Sequence, residues 1–200
     1  MKRNIRNCRA IIITHGKAEA IIAETLKRSF RLPIEIFPGV DNKNRSSIQL
    51  TSINTILNNT EFGSFAKFKA TSRFSMVSKG KKDIEDCKIF IILDTDDCIQ
   101  AGKPYLADDF KTKKMFEGHW LYPHIVPIYN SPNLESTMKS IGHDIPHDAK
   151  AYQKFFGAIK PTEVEAFWEK EIENLSKIKS SNMEELITYC IDWAKELQQK

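Results

Sequence analysis

The sequence lacks the features that would place this 200-residue chain in several large classes of protein. No stretch approaches the roughly 18 apolar residues of a membrane-spanning helix, and the apolar run after the basic start Met1–Asn4 has only about four residues. The four cysteines are scattered and form no Cys-x-x-Cys pair, which argues against a zinc site and against a disulfide framework. We therefore expect a cytoplasmic protein with reduced thiols and no membrane partner.

Two nucleotide-binding motifs and a strong excess of one charge are also missing. The turn His15-Gly16-Lys17 lacks the glycines of Gly-x-Gly-x-x-Gly, and no Gly-x-x-x-x-Gly-Lys-Ser/Thr phosphate loop occurs. These absences leave a doubly wound nucleotide- or sugar-phosphate-binding enzyme as the weakest of three functional hypotheses. The net charge of +4 permits a nucleic-acid partner without requiring one.

Short apolar runs alternate with helical patterns along the chain. Ala10–Ile13 and Ile89–Leu93 are unbroken and β-branched, as in strands buried on both faces of a parallel sheet. Pro33–Phe37 and His124–Tyr129 indicate two further strands, and Pro127 argues for an edge position or a strand end. Helical spacing occurs in 17–30, 47–57, 132–141, 149–156, 161–178 and 182–197. This order predicts an α/β fold, a mostly parallel sheet flanked by helices with a C-terminal helical extension.

The last two helical segments predict a hairpin. Apolar residues recur at spacings of three and four in both, and each stripe contains a tryptophan, Trp168 or Trp193. We expect residues 1–158 to form the α/β domain and residues 159–200 to form a hairpin that packs on it and carries no catalytic residue. The competing interpretation is that the stripe forms a dimer interface.

Three carboxylates follow the most apolar strand within four residues. Asp94, Asp96 and Asp97 come directly after Leu93, and ligands of open α/β sheets bind outside the carboxyl ends of the strands. Alternation along the strand places Asp94 and Asp96 on the same side. Two oxygen ligands at such an edge suit a hard cation such as Mg²⁺ or Mn²⁺. The competing interpretation is a polar turn in which an aspartate caps the following segment.

Two more polar groups should reach the same edge. His15-Gly16-Lys17-Ala18-Glu19 follows the first strand, and Asn130-Ser131-Pro132-Asn133-Leu134-Glu135 follows the last. In this order and spacing, residues 9–155 resemble the Toprim fold of topoisomerases, primases, OLD-family nucleases and the RloB-like proteins of phage-defence systems. Members of the OLD and RloB branch often carry Glu-Gly-x-x-Glu at the first position, and Ser131-Pro132-Asn133-Leu134-Glu135 is similar to a Ser-Asn-Pro-x-Phe-Glu-like element of RloB-like chains.

The resemblance implies a divalent-metal site with named residues. The metal ligands would be Glu19, Asp94, Asp96 and Glu135, with His15 in the place of the first acid. The catalytic residues would be Glu19, Asp94, Asp96 and Lys154. Lys154 would correspond to a lysine of the family's nuclease site. Cations at such a site activate water and neutralise charge on the attacked phosphate, and Lys154 would stabilise the developing charge. The competing interpretation for each carboxylate is a solvated surface acid.

The function implied by the resemblance is metal-dependent hydrolysis of phosphodiester bonds in DNA or RNA, with a role in phage defence. His15 departs from the family pattern, because histidine binds Mn²⁺ or Zn²⁺ but is a poor Mg²⁺ ligand. It could also simply cap the turn. The alternative function is a catalytically weakened Toprim-like module that binds nucleic acid or a protein partner. The other implied partners are a second copy of the chain and a defence-system protein.

A basic and aromatic segment is the candidate for contact with nucleic acid. Its lysines and arginine could contact phosphates, while neighbouring phenylalanines stack on bases. The competing interpretation is an insertion whose phenylalanines pack into the core. The basic residues are Lys67, Lys69, Arg73, Lys79, Lys81 and Lys82, and the phenylalanines are Phe62, Phe65, Phe68 and Phe74.

Overall fold

One parallel sheet organises the chain in its computed structural model, which describes residues 7–38 and 48–199. Within those residues the strands are β1 (Ala10–Thr14), β2 (Glu35–Pro38), β3 (Lys88–Asp94) and β4 (Ile125–Asn130). They lie in the order β2-β1-β3-β4, and each neighbouring pair is parallel. The predicted α/β class with a parallel sheet is confirmed. The start Met1–Asn4 lies outside the described residues.

Helices connect and cover the strands. They are α1 (Lys17–Phe30), α2 (Ile53–Asn59), α3 (Phe65–Ala70), α4 (Asp96–Gln100), α5 (Tyr105–Lys111), α6 (Leu134–Ser140), α7 (Ala149–Gly157), α8 (Val164–Leu175) and α9 (Met183–Gln198). Short 3₁₀ turns occur at Leu50–Ser52, Ser72–Phe74 and Lys114–Phe116. The helix predicted over 47–57 thus begins as a 3₁₀ turn and ends two residues later than expected.

The sheet separates two apolar cores. Phe90 and Ile92 of β3 contribute to the first core, which is closed by α1 and by α6 to α9. Ile89, Ile91 and Leu93 contribute to the second core, which α2 to α5 cover. Strand residues alternate between the two faces of a sheet, so β3 needs apolar side chains at every position from Ile89 to Leu93. This burial on both faces explains why the strand appears in the sequence as a continuous apolar run.

The strand order reverses between β1 and β3. From β1 the chain passes through α1, on the first core, to β2. From β3 it passes through α4 and α5, on the second core, to β4. The helices after these two adjacent strands therefore leave toward opposite faces. Such a reversal opens a crevice at the carboxyl ends of the two strands, where open α/β sheets bind ligands.

Strand β4 is an edge of the sheet, as Pro127 predicted. The segment between α8 and α9 lies against its carboxyl end. The Ser131 N–H donates to the Ser180 carbonyl at 2.7 Å, and the Ser181 hydroxyl donates to Oδ1 of Asn130 at 3.1 Å. These hydrogen bonds satisfy backbone and side-chain groups that an open edge would leave to solvent.

The two C-terminal helices pack on the sheet rather than extending from it. Helix α9 contacts α8, α1 and β4, and Trp168 and Trp193 are both only 2% exposed in the first core. Trp168 stacks on Phe156 of α7 with ring centroids 5.7 Å apart. The expected packing of the hairpin is thus present, and the division of the chain near residue 158 stays a prediction. No helix within 7–38 and 48–199 is both long and apolar enough to cross a bilayer.

Candidate functional site

Asp94 lies at the centre of the carboxyl edge of the sheet. It is the last residue of β3, and its position in the alternation places it on the face of Phe90 and Ile92, toward the first core. The residue is 5% exposed. Its Oδ1 is buried and accepts no hydrogen bond from any residue in the described ranges. A buried carboxylate oxygen without a partner costs free energy unless a proton or a cation reaches it.

Glu19 approaches Asp94 from helix α1. Its side chain turns back over the start of the helix, where Oε2 accepts the Gly16 N–H at 2.9 Å. This contact stabilises the helix start, since it satisfies one of the free N–H groups of the turn. Glu19 is nevertheless only 3% exposed, which is unusual for an acid whose role is capping alone. The charge of Glu19 acts on Asp94, so the two carboxylates lie near one another, and their role as metal ligands stays a prediction.

Asp96 reaches the same edge by a different route from the one expected. Strand β3 ends at Asp94, Thr95 has helical backbone angles, and Asp96 begins α4, so strand alternation does not apply to it. Asp96 is instead held by the loop after β4. Its N–H donates to the Pro132 carbonyl at 3.0 Å, and its Oδ2 accepts from Nδ2 of Asn133 at 3.3 Å.

Glu135 lies in the first turn of α6. Asn133 caps this helix, because its Oδ1 accepts a hydrogen bond from the Ser136 N–H at 3.0 Å. The Glu135 carboxylate contacts Nδ1 of His147. Its side chain is 24% exposed, whereas that of His147 is 88% exposed. Glu135 therefore lies at the solvent boundary of the acidic edge, and His147 is a neighbour that no sequence motif indicated.

These carboxylates perturb one another. Burial, followed by the charges of Glu19, Asp96 and Glu135, raises the pKa of Asp94 to about 8. The Asn130 amide opposite Asp94 in the strand register lowers this pKa in part, although its Nδ2 reaches no described acceptor with full hydrogen-bond geometry. Burial likewise raises the pKa of Glu19, and Glu135 adds to that rise. We call Glu19, Asp94, Asp96 and Glu135 the acidic cluster.

Tyr152 is a further residue on which the charges of the acidic cluster act, and it was not among the predicted site residues. It belongs to α7 and is fully buried. Burial raises its pKa first, and the charges of Glu135, Glu19 and Asp94 raise it further. The helical period gives the missed signal, because Tyr152 and Phe156 are four residues apart and share the buried face.

Lys154, by contrast, is not brought to the acidic cluster. It is exposed, two residues after Tyr152, and a helix turns by about 200° over that interval. The lysine lines an open cleft of about 650 Å³ together with Ile145, Phe155 and Phe167. The expected role of Lys154 at the reacting phosphate stays a prediction, which its exposed position does not support. Lys17, exposed at the first position of α1, is a cation in the turn that carries Glu19.

Asp97 faces the second core instead of the acidic cluster. Its Oδ2 accepts the Thr51 N–H at 3.3 Å and the Thr51 hydroxyl at 3.4 Å, and the residue is 9% exposed. Of Asp94, Asp96 and Asp97, the first two thus lie at the candidate site. Asp97 anchors the 3₁₀ turn at Leu50–Ser52.

His15 borders the cluster between β1 and α1. Its N–H donates to the Ile92 carbonyl at 2.8 Å, and its own carbonyl accepts from the Ile48 N–H at 2.8 Å. The imidazole lowers the pKa of Glu19, so it stands close to that carboxylate. Its Nδ1 is buried, with no hydrogen-bond partner among residues 7–38 and 48–199. His15 is therefore near the predicted ligands and is also part of the backbone turn.

The predicted base-stacking phenylalanines pack in the second core. Phe62, Phe68 and Phe74 are fully buried, and Phe68 stacks on Phe74 with centroids 4.2 Å apart. Phe65 packs against Trp120 with centroids 5.7 Å apart. The stacking interpretation was therefore wrong for the three buried rings, and the alternative of core packing is confirmed.

The six basic residues of that segment divide into two groups. Arg73 contacts the Ile36 carbonyl and lies over the Phe37 ring at 5.0 Å, and Lys79 donates to the Val77 carbonyl at 3.3 Å. These two stabilise the fold. Arg73 is nevertheless exposed, as are the other four, Lys67, Lys69, Lys81 and Lys82. They remain candidates for contact with phosphate.

Lys81 and Lys82 lie at the opposite end of the sheet from the acidic cluster. They are at the tip of a turn in which Lys79 pairs with Ile84, and the adjoining Val77 pairs with Cys8 just before β1. Six residues of extended chain separate Cys8 from Thr14, a distance of about 20 Å.

A divalent cation fits the acidic cluster in charge and in the buried Asp94 oxygen that lacks a partner. The side chains are not already arranged as ligands, because no three His, Cys, Asp or Glu residues of the described ranges converge closely enough to hold an ion. Binding would therefore require the carboxylates to move together.

Comparison of the chain with models of protein families, with curated proteins and with solved structures finds no match. The resemblance to Toprim proteins accordingly depends on the motifs named above. The chemistry of the acidic cluster has to be inferred from its own residues.

Proposed function

We propose that this protein hydrolyses phosphodiester bonds of DNA or RNA at the acidic cluster, with Mg²⁺ or Mn²⁺ as its cofactor. The observation that carries the proposal is the Asp94 carboxylate, 5% exposed, beside three other acids at the crevice between β1 and β3. Four carboxylates in such a place repel one another, and a divalent cation removes that repulsion.

Glu19, Asp94, Asp96 and Glu135 would hold the cation. When bound, it would supply a Lewis acid that neutralises charge on a phosphate and lowers the pKa of a coordinated water. The chain's own residues supply the remaining requirements. Asn133 holds Asp96, and the Gly16 N–H orients Glu19. The positive end of α1, with the exposed Lys17, favours a phosphate at the same edge.

Nucleic acid is the substrate that the remaining surface supports. Lys67, Lys69, Lys81 and Lys82 are exposed cations that could contact a phosphate backbone. Tyr105, 59% exposed at the start of α5, is an aromatic side chain that a base could stack on. The proposal therefore assigns base stacking to Tyr105 and not to the buried phenylalanines. A role in phage defence rests on the resemblance alone.

A second candidate is a Toprim-like module that binds nucleic acid or a protein without cutting. Two observations favour it: His15 stands where the related proteins have an acid, and the carboxylates are not arranged as ligands in the described residues. On this alternative, replacing His15 by glutamate would complete the cluster and create or sharply increase cleavage.

The test is incubation of the purified chain with single- and double-stranded DNA and RNA, with Mg²⁺, with Mn²⁺ or with a chelator. We expect metal-dependent cleavage that Asp94→Asn and Glu19→Gln each abolish. Asp97→Asn is the matched control, because Asp97 is an acid three residues from Asp94 that faces the second core. It should retain cleavage.

Cleavage that survives the double variant Asp94→Asn with Glu19→Gln would remove the acidic cluster from the proposal. If neither metal supports cleavage in the wild type and His15→Glu creates it, the binding module is the correct function.

A further inference from the structure

The Tyr152 hydroxyl is a buried donor without an acceptor. Its side chain is fully buried, yet its oxygen makes no hydrogen bond to any residue that the structure describes. Buried tyrosine hydroxyls ordinarily find a partner. A buried polar group without a hydrogen-bond partner lowers the stability of the metal-free protein. The Tyr152 hydroxyl therefore has a hydrogen-bond donor that the fold does not satisfy.

Three members of the acidic cluster lie close enough to Tyr152 for their charges to act on its hydroxyl, namely Glu135, Glu19 and Asp94. None of the three accepts a hydrogen bond from it. Asp94 carries the complementary defect, since its Oδ1 is a buried acceptor without a donor. A donor and an acceptor whose charges act on one another are thus both unpaired, and a movement that brings the carboxylates together around a cation could also bring one of them to the hydroxyl.

Rigid packing holds Tyr152 in this place. Helix α7 packs along α1, the helix that carries Glu19. One turn after Tyr152, Phe156 stacks on Trp168 with centroids 5.7 Å apart. Burial and this packing restrict the movement of the ring, so we expect the carboxylates to be the groups that move.

We propose that Tyr152 is a positioning residue of the cation site, whose hydroxyl donates a hydrogen bond to a carboxylate of the acidic cluster when a divalent cation is bound. This inference rests on the cation site of the proposed function but not on cleavage. Carboxylates that ligate metals are oriented by hydrogen bonds from a surrounding shell of residues, and loss of such a partner typically lowers metal affinity by about 10- to 100-fold.

The test compares Tyr152→Phe with Tyr189→Phe. Tyr189 is a matched control because its hydroxyl has a partner, the Arg9 carbonyl at 2.8 Å, next to β1 at the other end of the sheet. Each protein is treated with a chelator, its melting temperature is recorded, and it is then titrated with MnCl₂ by calorimetry without nucleic acid.

We expect Tyr152→Phe to weaken Mn²⁺ binding by about ten-fold or more, while the metal-free variant melts at the same temperature as wild type or about 2–4 °C higher. Tyr189→Phe should show the opposite pattern, with a lower melting temperature and unchanged Mn²⁺ affinity. This crossed result is one that a purely structural role of Tyr152 would not produce.

Unchanged Mn²⁺ affinity in Tyr152→Phe would overturn the inference and leave the proposed function standing. A metal-free Tyr152→Phe that melts below wild type would also overturn it, because the hydroxyl would then have a partner already. Failure of wild type to bind Mn²⁺ would overturn both proposals. Weakened binding in a protein that cuts no nucleic acid would support the role of Tyr152 and contradict the nuclease alone.

Discussion

The side chain of Asn182 hydrogen bonds to the backbone of β4 on both sides of Ile128. Its Oδ1 accepts the Tyr129 N–H at 2.9 Å, and its Nδ2 donates to the Pro127 carbonyl at 3.0 Å. One amide side chain thus supplies a donor and an acceptor, as a neighbouring strand would. This pairing protects the edge of the sheet next to Asn130, the residue opposite Asp94.

Asn182→Ala should lower the free energy of unfolding by about 1–3 kcal/mol, since it leaves the Tyr129 N–H without its acceptor. Urea unfolding monitored by circular dichroism measures the change. Asn58→Ala is the control, because Asn58 is exposed and donates only to the Asn54 carbonyl within its own helix. A loss no larger than that of the control would mean that solvent replaces both hydrogen bonds of Asn182.

The metal-free protein should become less stable as the pH rises toward 8. Folding raises the pKa of Asp94 from an ordinary 3.8 to about 8, so between these values the folded state binds a proton that the unfolded state has released. The resulting stabilisation is complete below the unfolded pKa and is lost as the pH rises through the folded pKa. The raised pKa of Glu19 acts in the same direction.

Asp94→Asn should therefore flatten this dependence and stabilise the metal-free protein at about pH 8, because a neutral amide needs no proton. Melting temperatures at about pH 5 and about pH 8 measure the effect, with Asp97→Asn as the control on the other face of the sheet. An identical pH dependence in wild type and Asp94→Asn would show that Asp94 ionises normally.

Phe68→Ala should destabilise the protein by about 3–5 kcal/mol, the usual result of truncating a buried phenylalanine. The ring is fully buried and contacts Phe62, Phe74 and Trp120. Lys67→Ala, one residue earlier and exposed, should change stability by less than about 0.5 kcal/mol. If Phe68→Ala instead weakened nucleic-acid binding without a loss of stability, its ring would have to reach the surface.

Trp193→Ala should produce a monomer that unfolds about 3–5 kcal/mol more easily, because Trp193 fills the first core of its own chain. Sedimentation at several concentrations, with denaturant unfolding alongside, separates this result from loss of a dimer. Tyr105→Ala is a suitable comparison, since that side chain is exposed and should alter stability little. A dimeric wild type that yields a stable monomeric Trp193→Ala would identify α9 as an interface.

The sheet could be predicted from the sequence because its physical cause is local. Ile89 to Leu93 must be apolar at each position when two cores cover both faces, and that requirement is visible in five consecutive letters. The positions of Glu19 and Asp94 followed from the rule that parallel strands end at one edge. Nothing beyond strand order was needed to bring these two residues together.

The remaining assignments depended on information that local patterns do not contain. Asp96 lies at the cluster because the chain becomes helical at Thr95, whereas alternation had assumed a longer strand. Lys154 was selected by a short match in sequence, while helical periodicity would have chosen Tyr152 as the inward residue. The position of Lys81 depends on which end of the sheet its turn adjoins, and that is a property of the folded chain alone.

If the proposed function holds, the separation of Lys81 and Lys82 from the acidic cluster sets the shortest duplex that could contact both. Base pairs of duplex DNA advance by about 3.4 Å, so the roughly 20 Å from Cys8 to Thr14 corresponds to about six base pairs. A duplex held at both places would have to continue for at least that length beyond the scissile phosphate. Shorter oligonucleotides could occupy the acidic cluster, but they would leave Lys81 and Lys82 in solvent. The salt dependence of their binding would therefore contain no contribution from these two lysines.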